Sequence, residues 1–367
     1  MGDFTTIPIL DLSLARTPTT KPQFLSELRD GLVRVGFFYL KNHPIPEEVQ
    51  HDAMQQSREF FSLPLHKKLE IDVVRSKHFF GYIRSASEVT KEEVDRSEGF
   101  LCGASNLIAP GPEQPAYLNL EGPSQWPDES DVPMFRAAIE SYRSAVEKLS
   151  VEFTTLIEEA LHLESGGISR LFGDTPRNSL GVRNYVPPTG QASCQGIGAH
   201  KDDGFMTYLL QQGTHNCLEV QNKAGVWIPI PPLRGTLVLN IGRMLEVSTR
   251  GVCTATTHRV VLKPDTFINS SGMPLGPRLS IAFFQDVNSR LEMSGLNVDI
   301  PSHIAELADG SKPISDADEL FSGLVDNTTG DYHFFGYLTG FREVAEQWYP
   351  KLLSQAMSKH TELNAVR

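Results

Sequence analysis

The apolar and polar positions divide the chain into an α+β start, one long helix, a β-rich middle and a helical end. At the start, residues 7–12 and 36–41 are typical of strands. Between them, Thr20 and Gln23 have the spacing of a capping box, which predicts a helix that begins after Thr20. A second helix is predicted to end at about Phe61, because apolar and small side chains recur every three or four residues before it.

A proline-rich connection and a long helix come next. Five prolines lie between Leu101 and Pro133, which indicates an irregular connection on the surface. From Phe135 to Ala160 the apolar side chains repeat at intervals of four and three residues, so this segment is predicted to be one amphipathic helix. Because its long apolar face needs a partner, we expect it to pack against a large sheet.

Helical periodicity stops near Gly181, and short β-rich runs separated by glycine, proline and asparagine continue to Asp286. The predicted strands are 181–186, 197–200, 205–211, 217–221, 226–230, 235–241, 258–263 and 279–285. Eight short strands without intervening helices favour a double-sheet jelly roll over a parallel sheet. The chain becomes helical again after about Leu320. The apolar residues predicted to share one face of that last helix are Phe341, Val344, Trp348 and Leu352.

The predicted fold class is therefore α+β with a mainly β core: a double-stranded β-helix, or jelly roll, flanked by N-terminal and C-terminal helices. We expect one compact unit with four parts. These are an N-terminal region with the proline-rich connection (1–132), a supporting helix (133–165), the jelly-roll core (176–288) and a C-terminal helical extension (289–367).

Composition narrows the range of partners. The formal net charge is −12, so we expect no binding to nucleic acid or to anionic membranes. The four cysteines are far apart and no apolar signal segment begins the chain, which favours a cytoplasmic location. Gly2 and Thr6 fit the loose myristoylation pattern, but no basic patch supplies a second anchoring signal. We expect a monomer that acts on a small molecule.

The chemistry centres on His200, Asp202 and the more distant His258. The pattern His-x-Asp/Glu also occurs at His162 and His360, but only His200 belongs to a predicted strand, where residues two apart project to the same side. Two imidazoles and one carboxylate form a facial ligand set with open coordination positions, as in non-haem Fe(II) oxygenases. Surface or hydrogen-bonded core histidines are the alternative interpretation.

A second chemical signal is Arg278-Leu-Ser280. On a strand, Arg278 and Ser280 share one face, so a guanidinium and a hydroxyl group could converge inside the barrel. Because a buried arginine needs an anion, this strand predicts either an internal acid or a bound carboxylate. An arginine exposed at the barrel rim is the alternative.

In their order along the chain, these motifs resemble those of the isopenicillin-N-synthase-like Fe(II)/2-oxoglutarate-dependent dioxygenase family. The matching segments are Ile7-Pro-Ile-Leu-Asp-Leu12, Gly36-Phe-Phe-Tyr-Leu-Lys-Asn-His43, Glu59-Phe-Phe-Ser-Leu-Pro64, Gly81-Tyr82, Trp126-Pro127, Arg183-Asn-Tyr-Val-Pro-Pro188, Gly198-Ala-His-Lys-Asp-Asp-Gly204, Leu218-Glu-Val220, Trp227, Asn240-Ile-Gly242, Thr257-His-Arg-Val260 and Arg278-Leu-Ser280. Two positions depart from the family pattern. Gly242-Arg243 stands where Gly-Asp is usual, and Asn216-Cys217 where Gly-Gly is usual.

The resemblance implies that His200, Asp202 and His258 hold Fe(II). It also implies that Arg278 and Ser280 bind the far carboxylate of the co-substrate 2-oxoglutarate, with Tyr185 as a further contact. With dioxygen, and with ascorbate in support, such an enzyme would hydroxylate, desaturate or cyclise a small organic molecule and release succinate and CO2. A secondary-metabolite intermediate is the expected substrate.

Two alternatives stay open at this point. One is a 2-oxoglutarate-independent Fe(II) oxidase of the isopenicillin N synthase type. The other is a different class of barrel, which either binds a metal or ligand without turnover or is a zinc hydrolase. The residues expected to line the substrate pocket are Phe79, Phe80, Arg84, Phe205, Phe284 and Tyr337. This largely aromatic lining would favour an apolar substrate.

Overall fold

The computed structural model describes residues 3–85, 87–90, 93–105, 107–188, 194–308 and 327–365. The strands are β1 (Ile9–Asp11), β2 (Phe37–Lys41), β3 (Gly81–Ile83), β4 (Val89–Thr90), β5 (Glu93–Val94), β6 (Glu98–Cys102), β7 (Ser179–Tyr185), β8 (Gln195–His200), β9 (Met206–Gln211), β10 (Leu218–Gln221), β11 (Trp227–Pro229), β12 (Thr236–Ile241), β13 (His258–Val261) and β14 (Arg278–Gln285). The α-helices are α1 (Lys21–Asp30), α2 (Glu47–Ser62), α3 (Leu65–Lys68), α4 (Phe135–Ala160), α5 (Arg243–Ser248), α6 (Ser302–Ala305), α7 (Thr329–Gly340), α8 (Arg342–Trp348) and α9 (Pro350–Ala365).

Two sheets form the jelly roll. The larger sheet has the strand order β1-β2-β12-β9-β14-β7-β6-β3, and the smaller has the order β11-β10-β13-β8. All eight strands predicted between residues 181 and 286 are present, and their ends differ from the prediction by at most two residues. The predicted fold class is confirmed, because alternating apolar runs bounded by turn residues are a strong signal for strands.

Strands from the N-terminal region extend both edges of the larger sheet. β2 pairs with β12 and β1 lies parallel to β2, while β6 pairs with β7 and β3 with β6. The N-terminal region and the jelly roll therefore share one sheet. This arrangement also brings Glu88, which lies between β3 and β6, next to Arg183 on β7.

The long helix α4 supports the larger sheet as expected. It has the bounds predicted from its periodicity, and it packs against β14, α1 and α2. The capping box predicted at Thr20 is wrong. Thr20 has helical backbone angles (φ −104°, ψ −19°) rather than the extended ones of a side-chain cap, and its hydroxyl donates to the carbonyl of Leu14 at 2.7 Å.

The C-terminal helix differs from the prediction. In place of one continuous apolar face the structure has α7, α8 and α9, with breaks at Phe341 and Tyr349, so the predicted face is divided among separate helices. Pro350 has no amide hydrogen to continue α8, and Trp348 is 41% exposed. The predicted start near Leu320 lies outside the described residues. Within the described part of the chain, each helix is too short or too polar to cross a bilayer.

Candidate active site

The residues predicted as metal ligands converge between the two sheets. His200 ends β8 and His258 begins β13, and the two residues are partners in the antiparallel register. Asp202 follows in the turn after β8, so it reaches the same point from a turn rather than from the strand itself. Its Oδ1 lies 3.4 Å from His200 Nε2 and 3.6 Å from His258 Nε2. Each of the three residues offers one nitrogen or oxygen atom as a ligand, and these three atoms lie within 4.8 Å of one another.

Backbone carbonyl groups orient both imidazoles. His200 Nδ1 lies 2.8 Å from the oxygen of Gly198, and His258 Nδ1 lies 3.3 Å from the oxygen of Thr256. Because a carbonyl oxygen only accepts hydrogen bonds, each Nδ1 carries the proton. Each Nε2 then faces Asp202, and it is the nitrogen left to coordinate a metal.

Two residues without a predicted role orient the carboxylate of Asp202. Asn240 Nδ2 donates to Oδ2 at 2.7 Å, and the Thr207 hydroxyl donates to the same oxygen. Oδ1 is therefore left to face the imidazoles. Asn240 of β12 and Thr207 of β9 are register partners, and this cross-strand pairing was not readable from the sequence.

The electrostatics favour the protonation states that bind a metal. Burial alone would raise the pKa of Asp202, but His258, His200 and the Asn240 amide lower it well below its ordinary value. Burial, together with the neighbouring His200, lowers the pKa of His258 to about 4. Burial also opposes the charged form of His200, but Asp202 raises its pKa. At neutral pH the set therefore contains an ionised carboxylate and a neutral His258, both able to coordinate a cation.

The departure at Gly242-Arg243 has a structural explanation. Gly242 precedes α5, and a Cβ atom there would lie 2.0 Å from the oxygen of Gly204, so a side chain does not fit. Arg243 Nε lies 3.3 Å from Oδ1 of Asp203, which also accepts a hydrogen bond from the Tyr332 hydroxyl at 2.7 Å. Arg243, which stands where the family usually has aspartate, thus helps to connect the turn that carries Asp202 to α7.

The second predicted group lies on the larger sheet. Arg278 is only 2% exposed; its Nη2 donates to Gln211 Oε1 at 2.8 Å and its Nη1 to Ser280 Oγ at 3.4 Å. The guanidinium carbon lies 4.8 Å from the ring centroid of Tyr185. In the described part of the chain, Nε of Arg278 has no hydrogen-bond partner. Nor does any described carboxylate form an ion pair with Arg278, whereas the buried Arg177 pairs with Asp286.

The metal-ligand set and the Arg278 group line the same cavity, whose volume is about 330 Å³. The histidines and Asp202 approach it from β8 and β13, and Tyr185, Arg278 and Ser280 approach it from β7 and β14. A bound molecule could therefore contact both groups at once. A larger groove of about 830 Å³ lies elsewhere on the protein and is lined by none of the predicted site residues.

Among the residues predicted to line the substrate pocket, only Phe284 lies on the wall of this cavity. Phe79 is fully buried in an aromatic cluster, with its ring centroid 5.4 Å from that of Tyr337 and 5.8 Å from that of Tyr349. Phe80 belongs to the same cluster. For Phe79, Phe80 and Tyr337 the prediction is corrected. Their rings belong to one apolar cluster with the C-terminal helices, which removes more apolar surface from water than a position on the cavity wall would.

The remaining two predictions are corrected for similar reasons. Phe205 is fully buried in the main core, where its ring centroid lies 5.0 Å from that of Phe172. Arg84 forms ion pairs with Asp72, at 2.8 Å, and with Glu343. The cavity wall instead includes two charged residues that the sequence did not single out for substrate binding, Glu88 and Arg183.

Comparisons with known proteins agree with this arrangement. The family model for the N-terminal region of non-haem dioxygenases, described from morphine synthesis, matches residues 7–129. The model for the 2OG-Fe(II) oxygenase superfamily matches residues 177–287. The chain is 50% identical to a 2-oxoglutarate-dependent dioxygenase of Gibberella zeae, over 98% of this chain and 96% of the relative.

Other relatives are more distant. The 2-oxoglutarate-dependent dioxygenase frbJ of a Dothideomycetidae species is 37% identical over 99% of this chain and 98% of its own length. A homoarginine-6-hydroxylase of Glycine max is 29% identical over 78% of this chain and 87% of its own. The crystal structure of a full-length Neurospora crassa protein in complex with alpha-KG superposes with a TM-score of 0.63 at 26% identity, covering 77% of this chain and 86% of that one.

The chain therefore belongs to the Fe(II)- and 2-oxoglutarate-dependent oxygenase family. It is an enzyme that uses Fe(II), 2-oxoglutarate and O2 to oxidise a small molecule. The two alternatives from the sequence, an oxidase without 2-oxoglutarate and a barrel without turnover, lose their support.

Proposed function

We propose that His200, Asp202 and His258 hold the Fe(II) ion, and that Arg278 and Ser280 bind the far carboxylate of 2-oxoglutarate. One observation carries the assignment: a three-ligand set and a buried guanidinium without an internal carboxylate partner among the described residues line the same cavity. When bound, Fe(II) and 2-oxoglutarate supply oxidative decarboxylation, which releases succinate and CO2 and activates O2 for oxidation of the substrate.

The residues present fit these two groups. Two imidazole nitrogens and one carboxylate oxygen suit Fe(II) and leave coordination positions open for other ligands. The unpartnered Nε of Arg278 and its near-complete burial suit a bound carboxylate, because an uncompensated buried charge is costly. Gln211 holds the guanidinium in place from the side, and Tyr185 packs against its face.

The chain's own residues would then orient the reactants and exclude water. Asn240 and Thr207 hold one oxygen of Asp202, so that the other keeps its direction toward the imidazoles. Tyr185 and Ser280, both at least 96% buried, close the co-substrate end of the cavity against solvent. Such fixed ligands and a dry pocket reduce the reorganisation that the reaction requires.

The substrate is proposed to be a small polar molecule. The charged side chains that line the cavity beside apolar ones such as Phe37 and Phe100 support a molecule with a polar group, as does the relative named homoarginine-6-hydroxylase. A secondary-metabolite role, a cytoplasmic location and a monomeric state stay predictions. So does the choice among hydroxylation, desaturation and ring formation.

The proposed site is tested by succinate formation in the absence of substrate. Protein incubated with Fe(II), ascorbate, O2 and 2-oxoglutarate should release succinate slowly, and His200→Ala should abolish this release. His162→Ala is the matched control, because His162 also belongs to a His-x-Glu motif but lies on the surface against Arg29 and His303. Equal succinate from wild type and His200→Ala would contradict the assignment.

A further inference from the structure

An ion pair on the cavity wall has no part in binding Fe(II) or 2-oxoglutarate. Arg183 lies on β7 and Glu88 on the chain between β3 and β6. Arg183 Nη2 donates to Glu88 Oε1 at 3.0 Å, and Nη1 donates to Oε2. The two side chains are 22% and 19% exposed, so both are largely withdrawn from solvent while they face the cavity.

The pair lies next to the proposed co-substrate site. Arg183 precedes Tyr185 by two residues on β7, so the two side chains project from the same face of the strand. Arg183 is also the register partner of Ser280 on β14. A substrate that occupies the cavity beside 2-oxoglutarate would therefore meet the ion pair of Arg183 and Glu88.

Small residues make room for the ion pair and for the neighbouring ring of Phe284. A Cβ atom at Gly99 on β6 would lie 3.1 Å from Arg183 Nη1 and 3.2 Å from its Cδ, so the arginine side chain passes directly over that glycine. Gly181 and Ala282 are register partners on β7 and β14, and both line the cavity. A Cβ atom at Gly181 would lie 3.3 Å from the Phe284 ring and 3.6 Å from Leu101, so these two side chains pack over the glycine.

Other charged residues of the cavity wall have structural contacts. Asp95 Oδ1 accepts a hydrogen bond from the amide of Gly198 at 3.0 Å. Lys201 Nζ lies 3.4 Å from Glu246, and Asp203 accepts from Tyr332 as described above. The pair of Glu88 and Arg183 differs from these, because both of its members line the cavity and present their charges side by side to whatever binds there.

We propose that Arg183 and Glu88 bind the zwitterionic end of the substrate, so that the substrate class is a small α-amino acid. Arginine has five N–H donors, and the pair with Glu88 uses two, so donors remain for a substrate carboxylate. The Glu88 carboxylate keeps lone pairs that can accept from an ammonium group. An α-amino acid carries these complementary charges on one carbon.

This inference rests on the proposed function. It is tested by substrate-stimulated succinate release with the proteinogenic α-amino acids and their one-carbon-longer homologues. Each is compared with its amine lacking the carboxylate and its acid lacking the ammonium group. At least one amino acid should stimulate release, and its two truncated analogues should not. Arg183→Met and Glu88→Gln should each raise the KM for that amino acid by roughly 10- to 100-fold, because each removes charge-assisted hydrogen bonds.

A charge exchange separates substrate binding from a structural role. In the double variant Glu88→Arg with Arg183→Glu the ion pair can form again, but the positions of the two charges are reversed. If the pair binds substrate, we expect the high KM of the single variants to persist in the double variant. If the pair only holds the chain together, the double variant should return to the wild-type KM. Arg84→Gln is the matched control, because Arg84 forms its ion pairs outside the cavity, and its KM should equal that of wild type.

The substrate-free readouts keep the two hypotheses apart. Wild type and all variants should release succinate slowly from 2-oxoglutarate alone, because the described side-chain hydrogen bonds between Arg183 and Glu88 do not include the proposed ligands of iron or of 2-oxoglutarate. Absence of that release in wild type would refute the proposed function. If the release is present, then stimulation by no amino acid, equal stimulation by a truncated analogue, or rescue by the charge exchange would each overturn the amino-acid inference.

Discussion

Replacing Arg278 by methionine should abolish tight binding of 2-oxoglutarate without destabilising the protein. Methionine keeps much of the apolar stem and removes the guanidinium group. In the protein without co-substrate, that buried group has no described carboxylate partner, so its removal eliminates a desolvation cost. The main loss is the charge-assisted hydrogen bond to Gln211, a cost of about 1.5–3 kcal/mol that the relieved desolvation offsets. The free energy of unfolding should therefore stay within about 1 kcal/mol of wild type.

The effect on binding should be much larger. A two-point contact between the guanidinium and a carboxylate contributes about 3–4 kcal/mol, which corresponds to a roughly 10²- to 10³-fold weaker Kd in the variant. At a 2-oxoglutarate concentration of about 100 times the wild-type Kd, wild type should gain about 2.7 kcal/mol of stability. At the same concentration a variant with a roughly 100-fold higher Kd should gain only about 0.4 kcal/mol.

The assay is anaerobic chemical denaturation of the Fe(II) protein with and without 2-oxoglutarate. Arg177→Met is the matched control, because Arg177 is also a buried arginine but pairs with Asp286. Its removal leaves the buried Asp286 with His333, at 3.0 Å, as its remaining ionic partner among the described residues, which should lower the free energy of unfolding by up to about 3–5 kcal/mol. The reasoning is refuted if Arg278→Met keeps the full stabilisation by 2-oxoglutarate, or if it loses as much stability as Arg177→Met.

Three further predictions follow from the geometry of the site. Asn240→Ala removes a hydrogen bond that orients Asp202 and should weaken Fe(II) binding by roughly 10- to 100-fold in a competition titration; iron affinity equal to wild type would contradict this role. Gly242→Ala places a methyl group 2.0 Å from the Gly204 oxygen and should lower the free energy of unfolding by about 2 kcal/mol or more in urea, whereas Gly111→Ala, with open space around it, should change it little. Equal effects of the two alanines would show that the turn is not tight. A chelator should abolish substrate-free succinate release, and Fe(II) but not redox-inert Zn(II) should restore it; recovery with Zn(II) would rule out the proposed chemistry.

The sequence predicted those features that depend on local periodicity. The strands, with their period of two residues, and α4, with its period of 3.6 residues, could be predicted because each element buries one face in the core. The two-residue spacing of His200 and Asp202 marked them as a pair, although Asp202 reaches the site from the turn after β8. Their meeting with His258 required the pairing of β8 with β13, which the ordered family motifs implied and the register now provides.

Features that depend on contacts between distant segments were not predictable. The bond from Asn240 to Asp202 and the ion pair of Glu88 with Arg183 join residues 38 and 95 positions apart, and nothing local marks them. An aromatic side chain near a motif does not reveal whether it faces a cavity or another ring, so the prediction for Phe79 failed. Breaks within the C-terminal helices similarly depend on packing that a repeat of apolar positions does not encode.

The most direct test of the central claim is an anaerobic titration of the Fe(II) protein with 2-oxoglutarate, followed by visible absorption. Wild type and His162→Ala should develop a weak charge-transfer band as the co-substrate chelates the iron, and His258→Ala should not. A wild-type protein that stays without this band, or a His258→Ala variant that develops it with unchanged affinity, would contradict the assignment of His200, Asp202 and His258 as the iron site.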